Sequence, residues 1–181
     1  MRNKPIFYFA NQTSMAEHGR EVELYIREHV NIETINPFFS QDGTPTPEIA
    51  SMLRGEKPTE NPFEVTARDL NKIREVDGII AYLSKNELCI GTAWEMAKCV
   101  EMLSKPLYII SVVNEEFSYL LGEVEASNLA DGAKEALYKW IGPKSIVGHP
   151  FPIHFGVPVF TSKEEFVEWA VKRWGAPLEV A

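Results

Sequence analysis

Cysteine is scarce in this chain: Cys89 and Cys99 are the only two among 181 residues. Two thiols at that spacing give neither a disulfide framework nor a metal-ligand pattern, and they fit a reducing, cytoplasmic setting. Long apolar runs are also missing. The longest covers residues 106–113 and includes Tyr108 and Ser111, whereas a membrane-spanning helix needs about 20 apolar residues. The opening stretch MRNKPIFYFANQ starts basic, but its apolar part is short and ends at Asn11 and Gln12 without a small-residue cleavage site, so no signal peptide is expected. Positive charge is in deficit, with 18 Lys and Arg against 26 Asp and Glu for a net charge of −8. That balance argues against a nucleic-acid polymer as partner, because phosphate backbones are bound by clustered cations. One small phosphorylated ligand held on backbone amides remains compatible with it. A glycine-rich phosphate turn is absent as well: Ala10-Asn11-Gln12-Thr13-Ser14 stands where a dinucleotide fingerprint would need glycines, which disfavours a nicotinamide-dependent oxidoreductase.

What is present describes one globular domain over residues 1–181. Apolar residues make up 45% and charged residues 24% of the chain, both ordinary for a folded core. Short apolar runs at residues 5–10, 32–39, 78–83, 106–113 and 157–160 read as strands, and residues 78–83 (GIIAYL) are apolar on both faces, as in a strand covered from two sides. Helical periodicity separates them. Val22, Tyr25, Ile26, His29 and Val30 mark one stripe of a helix over 15–30, with His29 expected in the core. Phe63, Ala67, Leu70, Ile73 and Val76 mark a second helix, over 62–76. A third runs from about Thr92 to Leu103. Ser162-x-x-Glu165 is a capping box opening a helix through Trp174, with Phe166, Ala170 and Trp174 on one face. One more helix is expected over 132–140. Alternating strands and helices imply a parallel sheet, so the expected fold is α/β, a Rossmann-like or flavodoxin-like three-layer sandwich with five parallel strands in order 2-1-3-4-5. Residues 37–62 break the rhythm. Proline recurs there at Pro37, Pro45, Pro47, Pro58 and Pro62, and a connection of this length is expected to be a functional loop or lid over a substrate, with a short helix at 47–53.

In such a sheet ligands bind beyond the carboxyl ends of the strands, near the switch in strand order. Three loops converge there, and the one before residue 92 carries the most specific signal, Cys89-Ile90-Gly91-Thr92-Ala93-Trp94-Glu95. Gly91 permits a tight strand-to-helix approach, Thr92 is a candidate N-cap, and Glu95 then falls in the first helical turn, where the macrodipole favours the ionised form. A charged carboxylate at that place is suited to attack an electrophilic carbon. The same residues would serve equally as a capping box with no chemistry. Asn11 and Gln12 would bind a ligand or close the turn after the first strand. Tyr8 and Phe38 would stack on a base or belong to the core. Trp94 is expected to pack on a neighbouring helix or subunit, and His149 and His154 to lie at the surface.

The ordered set IFYFANQ, then Asp69-x-x-x-Ile73-x-x-x-Asp77 followed by GIIA, then Gly91-Thr92-x-x-Glu95, then Lys105-Pro106 before another apolar run resembles the nucleoside 2-deoxyribosyltransferase family over residues 5–113. The resemblance implies that Glu95 is the nucleophile on C1′ of the sugar and that Asp69 protonates or orients the departing base. It implies a substrate that is a nucleoside or nucleotide together with a nucleobase, no metal and no organic cofactor, and a homo-oligomer whose sites are completed across subunits, with Asn128 in Ala126-Ser127-Asn128 as the lent residue. One position departs from the family. Six residues before the nucleophile that family usually places an Asp near the sugar 5′-hydroxyl, and its deoxynucleotide N-hydrolase relatives place a serine near a phosphate. Cys89 stands here. A neutral thiol removes repulsion toward phosphate but is a weak donor, so hydrolysis of deoxynucleoside 5′-monophosphates stands beside base exchange on nucleosides. Phosphoribohydrolases that share G-T-x-x-E place it after a Pro-Gly-Gly run, which is lacking here. A nucleotide-binding module without turnover is the reading from a different functional class.

Overall fold

The computed structural model describes residues 4–56, 61–83, 90–111 and 156–177. Within them five strands form one parallel sheet in order β2-β1-β3-β4-β5, the order expected from the sequence. The elements, in chain order, are β1 (Ile6–Asn11), α1 (Ala16–His29), β2 (Glu33–Ile35), α2 (Pro47–Leu53), α3 (Pro62–Glu75), β3 (Gly78–Leu83), α4 (Ile90–Ala97), β4 (Leu107–Ser111), β5 (Val159–Phe160) and α5 (Lys163–Trp174). The expected helix over 132–140, the loop residues 84–89, and His149 and His154 lie outside the described residues.

Strand alternation builds two cores, because neighbouring residues on a strand point to opposite faces. Phe7, Phe9, Ile80, Tyr82, Tyr108 and Ile110 face α1 and α5, where they meet Val22, Ile26, Val30, Phe166 and Ala170. Tyr8, Ala10, Ile79, Ala81, Leu83, Leu107 and Ile109 face the other way, against Ile73 of α3, Val76 just after it, and Met96, Cys99 and Val100 beyond. The result is the three-layer sandwich. Close contact of β3 with β4 depends on Gly78, where a Cβ would lie 2.5 Å from the Pro106 carbonyl oxygen. Lys105 then ties the layers together: its Nζ donates to the carbonyls of Ile73, Arg74 and Val76 at the end of α3, the position where a cation satisfies orphan carbonyls and complements the helix dipole.

Several local expectations are corrected. The second strand stops at Ile35 rather than 39. Pro37 has no N–H to extend the ladder, and the Asn36 side chain accepts from the Phe38 amide at 2.8 Å, turning the chain away. Within the segment expected as a functional loop or lid, residues 38–46 form a tight turn, with a Phe39–Pro45 bridge, Thr46 N donating to Phe38 O at 2.8 Å, and Gly43 at φ +87°. Phe39 and Ile49 bury this turn and α2 against Ala16 at the start of α1. His29 is exposed, not core, because the buried stripe of α1 runs through Gly19, Val22, Glu23 and Ile26. His29 sits at its edge in the last turn, with its ring against Tyr25 at 4.3 Å. The helix expected over 92–103 starts earlier, at Ile90, and continues past Ala97 as a π-helical turn over Lys98–Met102. The capping box forms on one side as read: Glu165 N donates to Ser162 Oγ at 3.1 Å. The Glu165 carboxylate reaches instead to the backbone amide of Thr161, at 2.7 Å. Among the described residues no helix is long and apolar enough to cross a membrane.

Candidate active site

Position 8 of the chain is an inward-facing residue in the middle of β1, on the α3–α4 side, so its side chain points up toward whatever those helices present. That group is Glu95. Tyr8 Oη donates to Glu95 Oε1 at 2.7 Å, and Tyr8 is fully buried. A ring with no exposed face cannot stack on a base; Tyr8 is instead a donor to the carboxylate. Glu95 lies in the second turn of α4, not the first, since the helix opens at Ile90, and Thr92 is therefore inside the helix rather than its N-cap. Thr92 is buried and Gly91 exposed.

That placement reverses the expected electrostatics. Away from the helix end the dipole no longer holds Glu95 ionised. Burial raises its carboxyl from 4.5 to about 7; the Tyr8 hydrogen bond opposes that, the Asp69 charge adds to it, and Lys72 partly offsets it. Tyr8 is shifted well above its ordinary value, first by burial and then by the charges of Glu95 and Asp69. Asp69 thus stands within electrostatic reach of both groups although it comes from α3. Its carboxylate is held by Arg68, with Nε 3.3 Å from Oδ1, and by Lys72 Nζ at 4.0 Å. The three α3 side chains are mostly shielded, with 15% of Asp69, 33% of Arg68 and 27% of Lys72 exposed, so their charges are weakly screened. Two carboxylates, one phenol and two cations therefore share one region on the α3–α4 face of the sheet. Sequence reasoning missed the cations; their signal was the i and i+4 spacing of Arg68 and Lys72 on either side of Asp69.

The loop after β1 is closed by its own side chain. Asn11 Nδ2 donates to the carbonyls of Gln12 and Met15, both at 3.2 Å, and its amide packs onto Gly19, where a Cβ would come within 2.2 Å. Asn11 is 4% and Gln12 5% exposed, so Asn11 acts as the turn-closing group. Phe38 is half-buried beside Phe39 and Ile49. Cys89 and Asn128 lie outside the described residues. Trp94, expected to pack on a neighbouring helix or subunit, is 61% exposed in the single chain, with Lys98 Nζ 5.1 Å from its ring centre. Cys99 is buried and burial pushes its thiol up to about 11, which leaves it a packing residue rather than a nucleophile. Among the described residues no group of three or more His, Cys, Asp or Glu side chains is placed to hold a metal.

A second polar cluster was not foreseen. Glu23, fully buried on α1, accepts from Arg20, Thr34 and Asn36. A charged residue in the centre of an apolar stripe was its only signal in the sequence.

No protein-family profile matches the chain, and no curated protein sequence matches it. Among solved structures it is similar to a 2-desoxiribosyltransferase from Leishmania mexicana, with a TM-score of 0.50 and 19% sequence identity, over 93% of this chain and 99% of that one. At that identity the likeness is one of fold.

Proposed function

We propose that this chain cleaves the N-glycosidic bond of a deoxynucleoside through a covalent glycosyl ester on Glu95 and transfers the 2-deoxyribosyl group to another nucleobase. The observation that carries the proposal is the pairing of Glu95 with Tyr8 at 2.7 Å beside a second carboxylate whose charge Glu95 feels. Perturbed carboxyls of this kind gather at functional sites, and two carboxylates with separate environments suit displacement with retention. The fold shared with a protein named as a 2-desoxiribosyltransferase supports the same reading.

In the first step an ionised Glu95 oxygen forms a bond to C1′ while the C1′–N bond breaks and its electron pair leaves on the base. The Asp69 carboxylate, held by Arg68 and Lys72, orients the base, and the departing nitrogen takes its proton from solvent. In the second step the nitrogen of an acceptor base attacks C1′, the ester bond returns its pair to Glu95, and the acceptor's proton passes by way of the Asp69 carboxylate to solvent. Tyr8 holds the attacking oxygen in place through its hydrogen bond, and release of that bond as Glu95 loses negative charge is compensated by the growing ester. If water is the acceptor the same steps give hydrolysis. Hydrolysis of a deoxynucleoside 5′-monophosphate is favoured by one observation, the Arg68 and Lys72 charges, which offset the repulsion two carboxylates would exert on a phosphate. A module that only binds would gain nothing from a buried carboxylate raised to about 7. The same reading carries a homo-oligomer, with Asn128 lent by a second copy.

The test is incubation with deoxynucleosides and deoxynucleoside monophosphates, each with and without adenine, following base release and exchange by chromatography. Base exchange that disappears in Glu95→Ala supports transfer; base release from monophosphates alone supports hydrolysis. Turnover that survives Glu95→Ala, or no turnover with any substrate, refutes the proposal.

A further inference from the structure

α3 turns one mixed face toward the site. Ile73 is fully buried in the cluster that holds Tyr8, and Asp69, one turn earlier, lies on the same side of the helix. Lys72 borders that side. Its side chain is 27% exposed, with Nζ 4.0 Å from Asp69 Oδ1, although lysines are mostly left in water. Arg74 and Glu75, the next charged residues of α3, are exposed. On the sheet side Tyr8 Oη donates to Glu95 Oε1 at 2.7 Å. Among the described residues, the charged and titratable groups acting on the Glu95 carboxyl are Tyr8 from β1 and Asp69 and Lys72 from α3. Burial raises that carboxyl most, the Tyr8 hydrogen bond lowers it, Asp69 raises it and Lys72 lowers it. Arg68 bears on the same group through Tyr8 and Asp69. On α4 itself, Lys98 is engaged by the Trp94 ring at 5.1 Å and by the Met102 sulfur.

With Arg68 and Lys72 charged, this group is neutral only when both carboxylates are ionised. Two like charges in a shielded site do not persist together unless opposite charge stands with them. Take one cation away, and proton uptake by a carboxylate restores neutrality. Arg68 is committed to Asp69, with Nε 3.3 Å from Oδ1, whereas the Lys72 charge reaches both carboxylates. We propose that Lys72 is a positioning residue for charge: its ammonium lets Glu95 and Asp69 stay ionised together, so that the nucleophile is charged while Asp69 orients the base. Lys72 touches no reacting atom; it acts through the two carboxylates. An ordinary surface pair at this helical spacing would change stability slightly and leave Glu95 alone. The consequence for catalysis rests on the function proposed above, whereas the effect on the titration of Glu95 does not.

The experiment titrates Glu95 in the full chain without substrate, by the infrared carbonyl band of its protonated carboxyl, identified as the band missing in Glu95→Gln. Lys72→Met removes the charge and keeps an apolar stem, and Lys72→Arg keeps the charge. The midpoint in Lys72→Met is expected about one pH unit above that of the wild type, and the midpoint in Lys72→Arg is expected to stay in place. The acid limb of kcat/KM should move with it, so that activity at about pH 6 falls roughly tenfold in Lys72→Met and recovers as pH rises. A Lys72→Met midpoint equal to that of the wild type would overturn the proposal, as would a loss of activity equal at every pH. If Lys72→Met does not fold, Lys72→Gln carries the same expectation. A raised KM for monophosphates with the Glu95 midpoint in place would assign Lys72 to phosphate and equally overturn it. A wild type without turnover refutes the catalytic reading, and the infrared titration still upholds or overturns the charge balance.

Discussion

Glu95 carries two burdens that share one cause. Its carboxyl is raised from 4.5 to about 7 chiefly because it is buried, and in the proposed reaction only its ionised form can attack carbon. Activity should therefore fall as pH drops through about 7, and kcat/KM plotted against pH should show an acid limb with its midpoint there. Tyr8→Phe deletes the one hydrogen bond that lowers this value, so the midpoint should move to higher pH and kcat should drop by roughly 10- to 100-fold. A midpoint that stays in place would show that the Tyr8 hydroxyl does not tune the nucleophile. Stability should move the other way. The folded protein binds the Glu95 proton more tightly than the unfolded chain does, so this group's contribution is most favourable below pH 4.5, declines as pH rises toward 7, and is a constant penalty above it. Glu95→Gln removes that penalty, on the order of 2 kcal/mol once partial exposure to water is allowed for. The variant's Tm should exceed that of the wild type by roughly 5 °C at pH 8 and match it near pH 4.5, as thermal unfolding at the two pH values would show.

At the scale of elements the sheet shows which features sequence patterning reports and which it does not. GIIAYL and the strands around it are short, doubly apolar and bounded by breakers, so their number and order could be read directly. The end of β2 could not, because it is set by a side chain, Asn36, taking over the Phe38 amide. Nor could the start of α4: Thr92 and Glu95 fit a cap and first turn equally well, and the two-residue difference decided whether Glu95 is held ionised by a dipole or raised by burial. Asp69 is named beside Glu95 only through the family resemblance, and the place of Tyr8 depends on which way position 8 faces, which only the register settles. Close contact between elements is where a small residue becomes indispensable. Gly78→Ala would push a Cβ to 2.5 Å from the Pro106 carbonyl oxygen, which backbone cannot evade cheaply. It should destabilise the chain by about 2 kcal/mol or more, seen as a lower denaturation midpoint with the Tyr8–Glu95 chemistry intact at low temperature. A midpoint equal to the wild type would mean that β3 and β4 are further apart than the sheet implies.

For the molecule as a whole, the three layers have one consequence for function. The α1–α5 side is a dense aromatic core in which Phe7, Tyr108, Phe166, Trp169 and Trp174 contact one another, with the buried Arg20–Glu23 pair on the same side. The α3–α4 side carries the carboxylates. A rigid, apolar half thus backs a charged half, an arrangement suited to holding a reacting constellation in fixed geometry. The claim on which the functional account stands is that the sugar becomes covalently attached to Glu95. It is tested most directly by mixing the protein with a deoxynucleoside in the absence of acceptor base, quenching with acid, and mapping the digested peptides by mass spectrometry. The peptide containing Glu95 is expected to carry one added deoxyribosyl group, and the adduct is expected to vanish when adenine is supplied. Base release with the sugar attached to another residue, or with no attached sugar at any time after mixing, would contradict it.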